Sequence, residues 1–383
     1  MGNYLHLFST VSEYTEARES EYIEPWVSYT LENEQVDFNK SEYEKLLETP
    51  LTFEITSGGN ITWSYYDGMG GERKDAHATI FYKKNDGEWT EMPRTLSVVS
   101  GDAVQFKGDN DGYGYEYGEC YDSFSEATTA GFILKGNIMS LIDSENFATA
   151  TTFASSYTFN FLFYNCTGLT SAENLVLPAT TLVNTCYASM FQGCTSLTQA
   201  PALPATTLAD GCYSCMFWGC TALTAAPELP ATTLANDCYS AMFNGCTSLT
   251  QAPELPATTL ASLCYENMFR DCTSLTQAPE LPAETLANNC YHTMFYGCTS
   301  LTKAPELPAT TLAIYCYTGM FYGCTNLNYI KCLATNISAT NSHQNWVSSV
   351  AASGTFVKAA GITESTWGRG NNGIPTNWTV QNA

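Results

Sequence analysis

The stretch Cys238-Tyr-Ser-Ala-Met-Phe-Asn-Gly-Cys246-Thr-Ser-Leu-Thr-Gln-Ala-Pro-Glu-Leu-Pro-Ala-Thr-Thr-Leu260 decides how this chain folds, because it recurs almost verbatim. Its opening, Cys-Tyr-x-x-Met-Phe, begins at Cys186, Cys212, Cys238, Cys264, Cys290 and Cys316, always 26 residues apart. A second cysteine follows eight residues later, at Cys194, Cys220, Cys246, Cys272, Cys298 and Cys324. A fixed period of this length predicts a solenoid: one unit cannot bury its apolar face alone and must stack on its neighbours.

Within one unit, Cys238, Met242 and Cys246 lie four apart with Tyr239 and Phe243 beside them, which predicts one face of a short helix. The position seven after the first cysteine is Gly193, Gly219, Gly245, Asp271, Gly297 or Gly323, with Asn165 in a degenerate first copy. These residue types tolerate a left-handed backbone, so the helix is expected to stop there. Leu249, Ala252 and Leu255 then face the core in an extended stretch, kept short because Pro253 and Pro256 have no N–H to donate. A strand, a turn and a short helix per unit is a leucine-rich-repeat plan.

Thirteen of the sixteen cysteines fall on repeat positions. Stacking puts equivalent residues about 4.8 Å apart, with Cβ vectors running parallel and not converging as a disulfide requires. Two columns of mostly reduced cysteines, acting as small buried hydrophobes, are expected.

Outside the repeats the chain divides into an acidic, tyrosine-bearing docking segment (1–45), a β-sandwich of Ig-like type (46–140), the solenoid of about seven repeats (141–338) and a carboxy-terminal cap (339–383). The fold class expected is therefore α+β and multidomain. Strand alternation at Leu51/Phe53/Ile55, Ile61/Trp63 and Val104/Phe106, a hairpin at Asn85-Asp86-Gly87 and a turn at Ser100-Gly101-Asp102 specify the sandwich. The first copy, Thr158 to Cys166, lacks the Cys-Tyr start and runs two residues longer, as terminal repeats do. After Leu333 the pattern is expected to fade into a tail whose Trp346, Trp367 and Trp378 close the open end of the core.

The net charge of −23, from 38 acidic against 15 basic residues, argues against nucleic acid as a partner, since phosphates reward clustered Lys and Arg. The amino terminus, Met1-Gly-Asn-Tyr-Leu-His-Leu-Phe8, has no secretory-signal pattern, and His6 stands where a myristoylation motif wants Ser or Thr. No apolar stretch approaches membrane-spanning length, so no membrane insertion is expected.

The string Met-Phe-x-Gly-Cys-Thr-Ser-Leu-Thr, at Met242–Thr250 and Met294–Thr302, resembles the BspA-like leucine-rich repeats of Bacteroidetes surface proteins, over about 158–338. The Ala-Pro-Glu-Leu-Pro-Ala-Thr-Thr-Leu connector and Gly354-Thr-Phe-Val-Lys-Ala-Ala360 are similar to that group as well. The resemblance implies a non-enzymatic role in adhesion or ligand binding. The segment Glu24-Pro-Trp-Val-Ser-Tyr-Thr30 resembles amino termini of Bacteroides phage and prophage proteins, which implies a virion component as the alternative.

The position two before the second cysteine is Gln192, Trp218, Asn244, Arg270, Tyr296 or Tyr322. It points off the apolar face and varies while its neighbours do not, and large polar and aromatic residues are the composition of binding hot spots. These six are the candidate ligand-binding residues; an unconstrained solvent position is the plain alternative. Glu228, Glu254, Glu280 and Glu306 also stack, but like charges repel and no second ligand type accompanies them, so a solvated edge is expected and no metal. Asp109-Asn-Asp-Gly-Tyr-Gly-Tyr-Glu116 reads as a flexible tyrosine-rich loop, and Cys212-Tyr-Ser-Cys215 as a chance C-x-x-C. Around His6, His77, His292 and His343 nothing places a nucleophile or paired acid, so no enzyme and no cofactor is expected. The expected activity is surface-displayed recognition of a host-surface glycan or protein, or of virion proteins, at a virion or bacterial cell surface.

Overall fold

A computed structural model describes residues 42–67, 73–115, 120–124 and 127–383. The proposed docking segment up to residue 41, the amino-terminal motifs and Glu116 lie outside the described residues. Alternation produces nine strands in the first part: β1 (Thr52–Ser57), β2 (Gly59–Tyr66), β3 (Arg73–Lys74), β4 (Ile80–Lys84), β5 (Thr90–Glu91), β6 (Thr95–Val98), β7 (Ala103–Gly108), β8 (Tyr121–Phe124) and β9 (Gly131–Asn137). Five more follow: β10 (Leu169–Val176), β11 (Lys303–Leu307), β12 (Tyr329–Cys332), β13 (Thr355–Lys358) and β14 (Thr379–Asn382). One sheet has the order β10-β9-β1-β7-β4-β5; a second is built on β2, which pairs β3, β6 and β8. The hairpin at Asn85 joins β4 to β5, with Gly87 N–H donating to the Lys84 carbonyl at 3.0 Å. The turn at Gly101 instead carries the chain from β6 in one sheet to β7 in the other. Gly59 makes a similar passage between sheets at the start of β2, where a Cβ would stand 2.7 Å from the Ala130 nitrogen. Phe53 of the first sheet meets Phe124 of the second at 4.8 Å, so the sheets face one another across an aromatic core.

That core continues without a break from Leu51 to Trp378. β9 pairs in parallel with β10, the extended stretch of the first copy, so the division drawn at residue 140 falls within one sheet. The loop at Asp109 is part of this junction. Through Tyr115 it is packed and not a free loop: Tyr113 is fully buried and its hydroxyl donates to the Leu141 carbonyl at 2.6 Å. The Tyr113 and Gly114 N–H groups donate to Thr158 and Tyr157 of the first copy. Apolar burial, which the acidic spacing of the loop disguised, fixes its place.

The repeats stack copy on copy, but the expected helix is not there. Between the two cysteines of a unit the backbone runs as successive turns. Tyr187, Ser189, Phe191 and Gly193 donate their N–H groups to Cys212, Ser214, Met216 and Trp218 of the next copy, at 2.7–3.0 Å. The intervening Ala188, Met190 and Gln192 donate three residues back, at 3.1–3.3 Å. Every fourth residue is left-handed, as at Thr185 (φ 57), Ser189 (φ 55) and Gly193 (φ 75). The period is thus four, not 3.6; it buries the same residue types as a helical face while half the donors bond the next copy. Among the described residues helices are short, at 42–48, Ile138–Leu141 and Glu364–Trp367, and the fold is β-rich and not α+β. The proline-bearing stretch forms isolated bridges such as Ala225 with Gln251 and Gln251 with Gln277, as donors removed by proline require.

The pattern does not fade after Leu333. β11 to β14 form a parallel sheet, and left-handed Asn341, Asn345 and Ser349 repeat the turn run. Trp346 takes the place of the repeat methionine, stacking on Trp367 at 5.2 Å, and both are buried with Trp378.

Inside the stack two aromatic ladders run the length of the repeats. One passes through Phe163, Phe191, Phe217, Phe243, Phe269, Phe295 and Phe321 at 5.4–5.7 Å between rings. The other runs from Phe159 through Tyr187 to Tyr317 at 5.7–6.1 Å. The described cysteines form no disulfides, and all those at the repeat positions are buried. Each second cysteine donates its thiol to the phenylalanine carbonyl of the copy before: Cys220 to Phe191, Cys246 to Phe217 and Cys272 to Phe243, at 3.0–3.1 Å. A weak donor of alkyl size meets both needs of that position, a spare carbonyl lone pair and an apolar wall. Burial pushes these thiols up, Cys194 to about 12, so they stay neutral.

Candidate functional site

The turn run explains why one column is free to vary. In each copy the residue two before the second cysteine donates its N–H three residues back, as Gln192 does to Ser189. Its carbonyl accepts from the left-handed residue of the preceding copy, as Trp218 does from Gly193. The backbone is held on both sides, the side chain leaves the core, and no packing partner dictates its identity.

The structure places all six sequence candidates on this column, half-buried except for Trp218, which is 42% exposed. It brings Arg270, Tyr296 and Tyr322 into one stack. The Tyr296 and Tyr322 rings are parallel within 2° at 4.8 Å, and the Arg270 guanidinium carbon lies 4.4 Å from the Tyr296 centroid. Arg270 Nε also faces Asp271 Oδ2 at 3.5 Å. Trp218 leans towards the next copy: its Cδ1 would lie 3.9 Å from a Cβ at Gly245. With Arg270 over one face and Tyr322 over the other, Tyr296 offers a ligand its edge and hydroxyl. Arg270, held over the ring, carries N–H donors suited to carboxylate or carbonyl oxygens.

A second variable column lies four residues earlier, buried at Ala188 and Ser240 and half-buried at its other positions. It holds Ala188, Ser214, Ser240, Glu266, His292 and Thr318. Glu266 Oε1 and His292 Nδ1 are 2.6 Å apart, and beside them the Thr293 hydroxyl donates to Asn267 Oδ1 at 2.6 Å. Sequence reasoning passed over this column, although its variation carried the same signal as the first. Glu266 and Arg270, with His292 and Tyr296, lie in the copies that begin at Cys264 and Cys290, while Trp218 and Tyr322 belong to the copies that begin at Cys212 and Cys316.

Among the remaining candidates, Cys215 adjoins this face, in the column that holds Asn267 and Thr293, and the others stay apart from it. Cys215 is half-buried and free, its thiol pushed up by burial, while Cys212 lies in the core. Glu228, Glu254, Glu280 and Glu306 are exposed, and Glu306 pairs with Lys331 at 2.8 Å. Among the described residues no group of three or more His, Cys, Asp or Glu is placed to hold a metal ion. Elsewhere, His77 stacks on Tyr65 at 3.7 Å, and buried Asp122 accepts from the His77 and Ala78 N–H groups and the Tyr115 hydroxyl. Burial raises the Asp122 carboxyl, and these donors hold it in part against that. His343 is lowered by burial beneath Trp367. No helix among the described residues is long and apolar enough to cross a membrane. Comparison with protein families, characterised proteins and solved structures returned no match.

Proposed function

We propose that the repeat stack is a solenoid of the leucine-rich-repeat, BspA-like type, and that it works as a non-enzymatic recognition surface for a glycan or protein displayed outside the cell. The constant step of 26 residues and the copy-to-copy hydrogen bonds support the solenoid reading. The observation that carries the recognition reading is the Arg270–Tyr296–Tyr322 stack: large side chains, aligned and preordered, at positions the fold leaves unconstrained. Ordered side chains lose little entropy on binding, and Trp, Tyr and Arg dominate binding hot spots. The same surface serves a chain borne on a virion or on a bacterial cell.

The test is binding of the purified chain to a printed glycan array and to intact bacterial cells. Arg270→Ala and Tyr296→Ala should each weaken a positive signal about tenfold or more, whereas Thr247→Ala, away from the column, should leave it unchanged. Silence on both supports, or binding indifferent to Arg270 and Tyr296, would sink the reading.

A further inference from the structure

A second surface, on the outer face of the six-stranded sheet, is basic and aromatic in a chain of net charge −23. Phe81 on β4 is paired in register with Lys107 on β7, Lys83, two residues on, shares their side of the sheet, and the exposed Glu91 of β5, in register with Phe81, is an acidic residue on that side. Trp89, from the turn before β5, lies among them, its ring 5.8 Å from the Lys83 amine and 5.1 Å from the Lys107 amine. Phe81 is 42% exposed and Trp89 37%. Lys84, Lys135 and Lys45 pair with Asp102, Glu54 and Glu42, but among the described residues Lys83 and Lys107 have no carboxylate within ion-pair distance. Two like charges gathered about one indole repel each other, and an arriving anion relieves them.

The neighbouring part of the same face is already covered. Thr52 of β1 alternates with inward-facing Phe53, yet it is buried. Phe147 is buried with its ring 5.5 Å from the Lys107 amine. The Asn137 side chain donates to the Phe147 and Leu47 carbonyls at 2.9 and 3.2 Å, so the helix over 42–48 is tied to the residue that borders the patch. The carboxy-terminal end of the first described helix is therefore linked, through Asn137 and Phe147, to the edge of this open surface.

We propose that residues 1–41 of this same chain occupy the Phe81–Lys83–Trp89–Lys107 patch. They carry eight acidic side chains against two basic, with seven aromatics, which complements the lysines in charge and the exposed rings in character. Their reach, on the order of 100 Å when extended, is ample for a surface whose edge at Phe147 is linked to Leu47 through Asn137. The contact is independent of the turn face and leaves Arg270, Tyr296 and Tyr322 open.

The test uses the full chain. Zero-length carbodiimide coupling, read by mass spectrometry on mixed light and heavy protein, should join Lys83 or Lys107 to carboxylates between Glu13 and Asp37 within one molecule. Tryptic cleavage after Arg18 should become about fivefold faster or more in the double variant Lys83→Glu, Lys107→Glu, because cleavage follows the population of the released state. High salt should accelerate cleavage of the unmodified chain in the same direction. Couplings confined to pairs of different copies would overturn the proposal, as would their absence from the patch. Equal cleavage rates in the parent and the double variant would overturn it too.

Discussion

The sheets at the amino-terminal end and the repeat stack bury aromatic residues in different ways. Phe53 touches Phe106, Phe124, Phe132 and Phe163 at 4.4–6.0 Å, three of them tilted by 54–59°. In the stack, Phe243 meets Phe217 and Phe269, both near-parallel at 5.7 Å. The first is a three-dimensional cluster in which each ring closes several gaps; the second is a ladder whose rungs interact chiefly with their neighbours. Nearest-neighbour coupling makes stability a sum over units, whereas a cluster fails as a whole. Phe53 is also where the two arrangements meet, since Phe163 is the first rung of the ladder.

This contrast can be broken most severely at Phe53. Phe53→Ala should cost about 3–5 kcal/mol and move near-ultraviolet signals from both regions together in a urea titration; separate transitions would show the cluster and ladder to be uncoupled. Next in size is the thiol ladder. Cys246→Ala opens a small cavity and leaves the Phe217 carbonyl without its thiol donor, which should lower stability by about 1–2 kcal/mol; an unchanged urea midpoint would deny the thiol any such role.

Acid sharpens the comparison further. Asp102 is lowered from 3.8 to about 2 by the Lys84 ammonium, then by the Val99 N–H and the Asn85 amide. A depressed folded value means a contribution that is complete above the ordinary carboxylate range and is lost as pH falls through about 2. Asp102→Asn should therefore flatten the fall in unfolding midpoint between about pH 4 and pH 2. Raised Asp122 has the opposite sign, its protonation being favoured by folding. The smallest effect belongs to the turn face: Tyr322→Ala should change stability by no more than about 0.5 kcal/mol, and a larger loss would make the Tyr stack a structural device.

The candidate column was legible because invariant neighbours made Gln192, Trp218, Asn244, Arg270, Tyr296 and Tyr322 stand out. The Glu266–His292 pair was hidden because its partners lie 26 residues apart and become neighbours when copies stack. The helix reading failed at Thr185, Leu263 and Thr293, which no residue preference assigns to a left-handed backbone. Their strain, about 1–2 kcal/mol each, is offset by hydrogen bonds to the next copy, which no single unit reveals. Likewise Tyr113 was read from its acidic flanks, and only its seat under Leu141 and Thr158 shows it to be core.

By itself the sequence determined the period, the buried residue types, the left-handed glycine positions and the closing tryptophans, since each follows from repetition or local preference. Tertiary structure alone decided that the four-residue rhythm is a ladder of turns, that β9 is the platform on which the first copy pairs, and which variable side chains touch. Those outcomes depend on where an N–H finds its acceptor, and here that acceptor is a whole repeat away.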